Sequence, residues 1–437
     1  MNSKSGLIDV AMKGSYDIVI VGGGISGLYL ARELLKDKPS LNIAIAEKYD
    51  TLGGRMATFH KGVYQWEEGA GRIPLSHTMV MDLIKEYGCT WVPIESASFF
   101  KPSNEESAYP NPFESLYIPR FLQPLESLDT KILATHTLEQ LLEKVYNKKQ
   151  AKDILDTFPY FSETKVMRAD VALKTFLKGE MGNKNNFGIV KEGLSELIHR
   201  LQEDIVKRGC TILLNHALQD IEKVPNEPRK TDCLFVHRKT KKEQKIRAEK
   251  ACILTLCRCH VAALSFMKDV PVLKHVLGKP LFRIYSVFPK KNCWFSDVPH
   301  IVTPERIRNF IPIDVSKGIT MISYTDGDDT KYYHTILKEK GEKGVEKEVM
   351  KDIRALFKEK DIPEPLLTKT HYWGTGASYW LPGNYDPEAI SKEALQPRKD
   401  FPGLYMCGES WSMRQAWIEG ALEHTRECIN LLRRDDV

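Results

Sequence analysis

Near the start of the chain the apolar positions change period twice, and each change marks an element. Residues 16–21 (YDIVIV) form a near-continuous apolar run, the pattern of a parallel strand buried on both faces. The turn Gly22-Gly-Gly-Ile25-Ser26-Gly27 follows at once. Leu28, Ala31, Leu34 and Leu35 then fall on one side of a helix over 28–35. Residues 43–46 (IAIA) predict a second short strand, ending at Glu47. Strand, glycine turn, helix, strand and acid is the order that a βαβ dinucleotide site requires.

Further along, a polar, proline-bearing region runs from Pro74 to about Pro124, and helical patterns occupy Leu138 to about Leu177. The spacing from Ile189 to Val206 predicts one amphipathic helix leading into a strand at Cys210–Leu214. Residues 251–256 (ACILTL) are a further buried strand, while 281–288 and 319–324 have the pattern of strands in a different sheet. The end is a strand into a turn at Gly403–Glu409, then a helix from about Ala416 to Leu432. No internal repeat is present. Nucleotide-type strands at both ends and in the middle predict two woven domains. Segments 15–73, 188–270 and 396–437 form the cofactor-binding domain; 74–187 and 271–395 form the substrate domain, the first of these carrying the helices.

Composition narrows the class. The chain has 437 residues, too many for one ordinary core. An apolar fraction of 42% and a charged fraction of 28% are those of a soluble globular protein. A net charge of +5 gives no reason to invoke nucleic acid. The basic stretch Arg229–Lys250 predicts a hairpin with a solvated face, and Lys338–Lys351 the exposed side of a helix. No run approaches the roughly 18 apolar residues of a membrane span. The start lacks the roughly 7–15-residue apolar stretch of a secretory leader, so an intracellular, cytoplasmic location is expected. Nine cysteines without a framework spacing suggest reduced thiols. In Cys257-Arg-Cys259-His260 the spacing is too tight for the usual zinc pair and no second pair follows. These are expected to be buried or incidental thiols, and no metal is expected.

Each position of the glycine turn has a physical task. Gly22 permits the tight turn, Gly24 lets the backbone approach a pyrophosphate, and Gly27 lets helix and strand pack closely. Ile25 and Ser26 open the helix, whose N-terminus carries partial positive charge. Glu47, twenty positions after Gly27, would accept hydrogen bonds from ribose hydroxyls, with Lys48 beside it. These residues alone leave FAD and NAD open.

The motifs at Val19–Gly27, Gly53–Arg55, Glu68–Ile73, Gly376–Tyr379 and Gly408–Gly420 together resemble the flavin amine oxidase superfamily, which includes monoamine oxidases, polyamine oxidases and L-amino-acid oxidases. The resemblance implies an α/β fold. A Rossmann-like FAD-binding domain of the two-dinucleotide-binding type would be interleaved with a mixed-sheet substrate domain and a helical subdomain. It also implies FAD as cofactor. Gly53, Gly54 and Arg55 would then lie near the pyrophosphate or flavin, as would Ala70, Gly71 and Arg72. Ile221 in the middle segment, Gly408 with Glu409, and Ala416-Trp417-Ile418 would complete the cofactor contacts, Glu409 at its far end. Ser378 stands where monoamine oxidases carry a flavin-linked cysteine, which implies non-covalent FAD.

The resemblance also suggests site roles. Tyr379 and Trp417 match the aromatic pair that flanks the substrate amine. Glu68–His77 and Met321–Asp329 are most similar to L-amino-acid oxidases, which makes Arg72 the candidate for the substrate carboxylate; an internal pair with Glu67, Glu68 or another acid stays open. Arg283 stands where these oxidases place a lysine facing flavin N5, since Lys279 precedes Pro280 and is expected outside the strand. The carboxylate-binding tyrosine expected upstream of Met321 is not evident in Arg308–Ile313.

The activity implied is FAD-dependent oxidation of the C–N bond of an amine or L-amino acid by hydride transfer to flavin N5. An imine would form and hydrolyse, with O2 reduced to H2O2. A dehydrogenase or desaturase of the same fold with another acceptor, and a flavin-binding module without activity, are the alternatives. The partners expected are a small-molecule amine or amino acid and O2, with no nucleic acid and no membrane span; a homo-oligomer stays open. Ser410 and Ser412 lack the Gly-x-Ser-x-Gly setting of a hydrolase.

Overall fold

The strand Ser15–Val21 has parallel neighbours on both sides, Ile43–Glu47 and Glu243–Leu254. Ile18, Val19 and Ile20 are fully buried, which is why this strand is apolar on both faces. The structure, a computed structural model, describes residues 14–178, 186–291 and 293–437. The chain start, on which the expectation of no leader rests, lies outside the described residues.

The first sheet runs Thr211–Leu214, Ile43–Glu47, Ser15–Val21, Glu243–Leu254, all parallel. Leu404–Met406 pairs parallel with the end of the last of these, Cys252 opposite Leu404. Helices Ile25–Asp37, Leu194–Lys207 and Ile418–Arg434 cover one face, packing Leu28, Leu197 and Leu422 against Ile18, Ile20 and Ile253. On the other face Val19, Ala44 and Cys252 meet Phe235, Met267 and Trp411. The basic stretch is the predicted hairpin: Glu227–His237 pairs antiparallel with Glu243–Leu254, and Arg247 bonds Asp232 at 2.8 Å. Val21, Glu47, Leu254 and Met406 therefore end at one edge of the sheet, where ligands of open α/β sheets bind.

The second sheet is mixed, with Leu367–Trp380, Val276–Val287, Ile319–Asp326 and Asn309–Asp314 as consecutive antiparallel neighbours. The central strand begins earlier than expected. Lys279 and Pro280 lie within it, because the register against Leu367–Trp380 slips between Lys279 and Leu281. A bulge there accommodates a residue without an N–H. A three-stranded sheet of Ile73–Pro74, Phe187–Val190 and Trp91–Pro93 corrects a second expectation. Ile189 and Val190 belong to a strand, and the helix starts at Leu194. Gly193, at φ +89°, separates the two; a Cβ there would meet Thr58 Cγ2 at 2.7 Å.

Helices Leu138–Val145, Lys148–Asp156 and Ala169–Leu177 gather around Phe113, Phe158 and Phe176, and Tyr379 of the second sheet closes this core. The Lys-rich segment is the outer side of Lys331–Leu356, two helical stretches that meet at a break at Gly341 (φ +66°) and whose inner side buries Tyr333, Val345, Val349 and Ile353. Among the described residues no helix is long and apolar enough to cross a membrane.

Candidate active site

The glycine turn has the geometry its tasks require. Gly22 sits at φ +114°, where L side chains are strained. A Cβ on Gly27 would lie 2.1 Å from the Gly22 carbonyl oxygen, so helix and turn touch only because that position is bare. Gly24 is the reverse case. A Cβ there would meet nothing within 4 Å, and the residue faces a cavity of about 1190 Å³. Helix Ile25–Asp37 has no side-chain cap and no acid in its first turn, so its N-terminal field faces that cavity uncompensated. Glu47 accepts from Gly23 N at 2.8 Å and Tyr49 N at 2.9 Å, which fixes its carboxylate at the strand end. A bare, positive cradle beside a fixed acid fits an anionic dinucleotide.

The same cavity runs along the edge of the first sheet to the second. Gly22, Gly24, Ile25, Ser26, Glu47, Lys48 and the segments 53–55 and 70–72 line it, as do Gly408, Glu409, Ala416, Trp417 and Ile418. Gly27 lies behind the turn. Ile221 does not line the cavity either: it is buried in the core opposite Cys233, and Ala217, Leu218 and Gln219 of the same strand face the space instead. Cys257 and Cys259, expected as buried or incidental thiols, are not among the buried ones. They are half-buried and exposed, and both line the cavity.

Glu409 was expected at the far end of a cofactor, yet its carboxylate is spent on the protein. It accepts from Arg55 Nη1 at 2.9 Å, Ser378 N at 2.9 Å, Ser378 Oγ at 3.1 Å and Ala416 N at 2.9 Å. Arg55 also donates to the Gly376 carbonyl at 3.0 Å. Ala416 is held at φ +69°, a left-handed conformation stabilised by its bond to Glu409. Ser378 is fully buried, and its hydroxyl is engaged by Glu409 and Ser410.

Arg72 lines the cavity and makes no ion pair among the described residues, although the Glu163 and Glu114 carboxyls both feel its charge. Its Nη2 donates to the Tyr160 hydroxyl at 2.7 Å, and its guanidinium lies 5.1 Å from the Phe187 ring centre. Neither Glu67 nor Glu68 takes it. Glu67 binds Thr58 Oγ and Leu194 N, and Glu68 lies 3.6 Å from His371. Arg283 donates from Nη1 to the Glu67 carbonyl at 3.2 Å and lies over Tyr324 at 5.0 Å, while its buried Nε has no hydrogen-bond partner among the described residues. Gly71 makes room for it, since a Cβ there would approach Arg283 Nη1 at 3.3 Å.

Trp417 packs edge-on against His77 at 5.1 Å and nearly parallel to Phe187 at 6.2 Å. Tyr379 donates to Glu163 Oε1 at 3.3 Å. Burial, then the nearby Asp326 carboxylate, pushes Glu163 up to about 8, so it is mainly neutral at pH 7. Burial also raises Asp326 to about 6, against hydrogen bonds from Ser162 and Phe161. Tyr160, Glu163, Tyr324 and Asp326 all line the cavity, and none was singled out in the sequence. Tyr160 and Tyr324, at 5.3 Å between ring centres, join the walls that carry Arg72 and Arg283.

The model of the flavin-containing amine oxidoreductases matches residues 25–428. Coproporphyrinogen III oxidase of Staphylococcus aureus is 24% identical over 258 residues, 47% of this chain and 54% of the relative. Sarcosine oxidase subunit beta of an Arthrobacter species is 47% identical over 62 residues, 15% of its length. The chain thus spans about half the length of the first of these curated relatives and far less of the second. Among solved structures, a protein of Exiguobacterium sp. 255-15 described as a protoporphyrinogen oxidase superimposes with a TM-score of 0.75 at 18% identity, covering 97% of this chain and 99% of that one. Putrescine oxidase bound to putrescine gives 0.72 at 16% identity, covering 96% and 99%. The fold is that of the FAD-dependent amine oxidases and the cofactor is FAD, with a buried serine at position 378.

Proposed function

The chain belongs to the flavin-containing amine oxidoreductases, and from that membership we propose that it oxidises the C–N bond of a carboxylate-bearing amine, an L-amino acid. The observation that carries this reading is Arg72, a guanidinium in the cavity that donates to the Tyr160 phenol and makes no ion pair among the described residues, with Glu163 and Glu114 close enough to feel its charge. A carboxylate satisfies it through two parallel hydrogen bonds.

The glycine turn, Glu47 and the segment 53–55 would hold FAD. When bound, FAD would supply a two-electron acceptor for the hydride on the amine-bearing carbon and a route for those electrons to O2 as H2O2. The rest is positioning by this chain. Tyr160 holds the Arg72 fork, and the fork holds the carboxylate. Tyr379 and Trp417, fixed by Glu163 on one side and His77 with Phe187 on the other, form two walls that exclude water from the amine. Because Glu163 is mainly neutral at pH 7, it does not favour a charged ammonium over the neutral amine that hydride loss requires. The imine product then hydrolyses in water.

A peroxide-coupled screen across amines, polyamines and the twenty L-amino acids tests the proposal. Signal from an amino acid supports it, and signal from polyamines alone contradicts it. A second reading rests on Arg283. A permanently charged group where oxidases of this kind place a lysine suits an electron acceptor other than O2. Flavin that bleaches with substrate under nitrogen and stays bleached in air would favour it. Several relatives are named for porphyrinogens, so coproporphyrinogen belongs in the panel.

A further inference from the structure

The chemistry above makes no use of the thiols at the end of strand Glu243–Leu254. Cys257 and Cys259 lie on the cavity wall with their sulfurs 3.2 Å apart. The other seven cysteines are buried. Thr375 Oγ donates to Cys259 Sγ at 3.0 Å. Lys48 Nζ lies 2.6 Å from His260 Nε2. An ammonium can only donate, so Nε2 accepts and the ring hydrogen is on Nδ1. That Nδ1 lies 2.8 Å from Cys257 Sγ and 3.7 Å from Cys259 Sγ. Donors thus converge on two adjacent sulfurs, with the charges of Lys48 and Arg55 nearby. Such surroundings stabilise one thiolate.

We infer that Cys257 and Cys259 form a redox-active dithiol that reacts with hydroperoxides, Cys259 as the nucleophile and Cys257 as the resolving thiol. The roles follow from position. Cys259 is exposed to an incoming peroxide and receives the Thr375 bond, whereas Cys257 is half-buried behind it, 3.2 Å away. The hydrogen bonds from Cys257, His260 and Thr375 pull Cys259 well below the usual thiol range, and sharing its proton with Cys259 pushes Cys257 up. In the first step the Cys259 thiolate attacks a peroxide oxygen. An S–O bond forms, the O–O bond breaks, and the leaving alkoxide or hydroxide takes a proton from water. Cys259, oxidised by two electrons, becomes a sulfenic acid. Cys257 then gives up its proton and attacks that sulfur; the S–S bond forms, the S–O bond breaks and water leaves. The ligand atoms of Cys257, Cys259 and His260 lie within 4.8 Å of one another, close enough for a metal ion. Lys48 on the imidazole and Arg55 beside the thiols oppose a cation there.

The test uses the pre-reduced full-length holoprotein and H2O2. The account expects loss of two of the nine thiols, an intact-mass decrease of about 2 Da reversed by dithiothreitol, and a peptide map linking Cys257 to Cys259. Cys257→Ser should instead trap a dimedone-reactive product about 16 Da heavier at Cys259. Cys259→Ser should slow peroxide consumption by thiols at least about tenfold. Unchanged thiols, a first oxidation at another cysteine, or a stoichiometric metal retained on both thiols would each overturn the inference. The wild-type mass and map decide the matter even if a variant folds poorly.

Discussion

Arg55 donates to Glu409 across 2.9 Å, joining residues 354 positions apart. This one carboxylate also holds Ser378 of the second sheet and Ala416 at the entry to the last helix, so three remote segments take their places around it. Glu409→Gln keeps the shape but leaves the Arg55 charge without its partner. Removing one member of a buried pair costs about 3–5 kcal/mol. Here about 2 kcal/mol is expected, because the Arg55 side chain is 30% exposed. Urea unfolding and the flavin content of the purified variant check this; both should fall.

Two glycines in the same turn should fail in different ways. At Gly24 an added methyl meets no protein atom within 4 Å, and φ is −76°. Gly24→Ala should leave the melting temperature of the cofactor-free protein within about 2 °C while weakening FAD binding at least about tenfold. Gly27→Ala, with its methyl 2.1 Å from the Gly22 carbonyl, should lower that melting temperature by about 5 °C or more. Equal effects on fold and binding from both variants would contradict the assignment.

Arg72→Ala should raise KM for amino acids by about 30- to 100-fold, the loss of a charge-assisted pair worth about 2–3 kcal/mol, and leave flavin bound. Tyr160→Phe removes only the hydroxyl that orients Arg72 and should cost less than about tenfold. If Arg72→Ala loses FAD, the arginine serves the cofactor and the carboxylate assignment fails.

Glu163 gives the fold a pH signature. Its carboxyl is raised from the usual range to about 8, so above its unfolded pKa the folded chain holds a proton that the unfolded chain has released. The stability this supplies is full at low pH and is lost as pH rises through about 8. Glu163→Gln cannot ionise. The melting temperature of the variant relative to the native chain should therefore climb between pH 5 and about 8.5. A flat difference would show that Glu163 titrates normally.

What was legible in the sequence was local and periodic. The run YDIVIV, the bare positions of the turn and the acid at Glu47 each carry their own physical reason, and all line up along the edge of the first sheet. Residues whose place depends on register were harder. Ile221 and Leu218 share one strand, and only the pairing with Glu227–His237 decides which faces the cavity. Tyr160, Glu163 and Tyr324 meet from a helical segment and a strand with no periodic mark of their own. Lys279 lies inside the strand because a bulge beside Pro280 lets the pairing continue past it. Gly193 split an apparently continuous helix by its φ alone.

The most direct measurement is anaerobic mixing of the yellow holoprotein with L-amino acids and, in parallel, with the amines left when their carboxylates are removed. Flavin absorbance should bleach with at least one amino acid. Its decarboxylated counterpart should react at least about tenfold more slowly. Bleaching by the amine as readily as by the amino acid, or by neither, would contradict it.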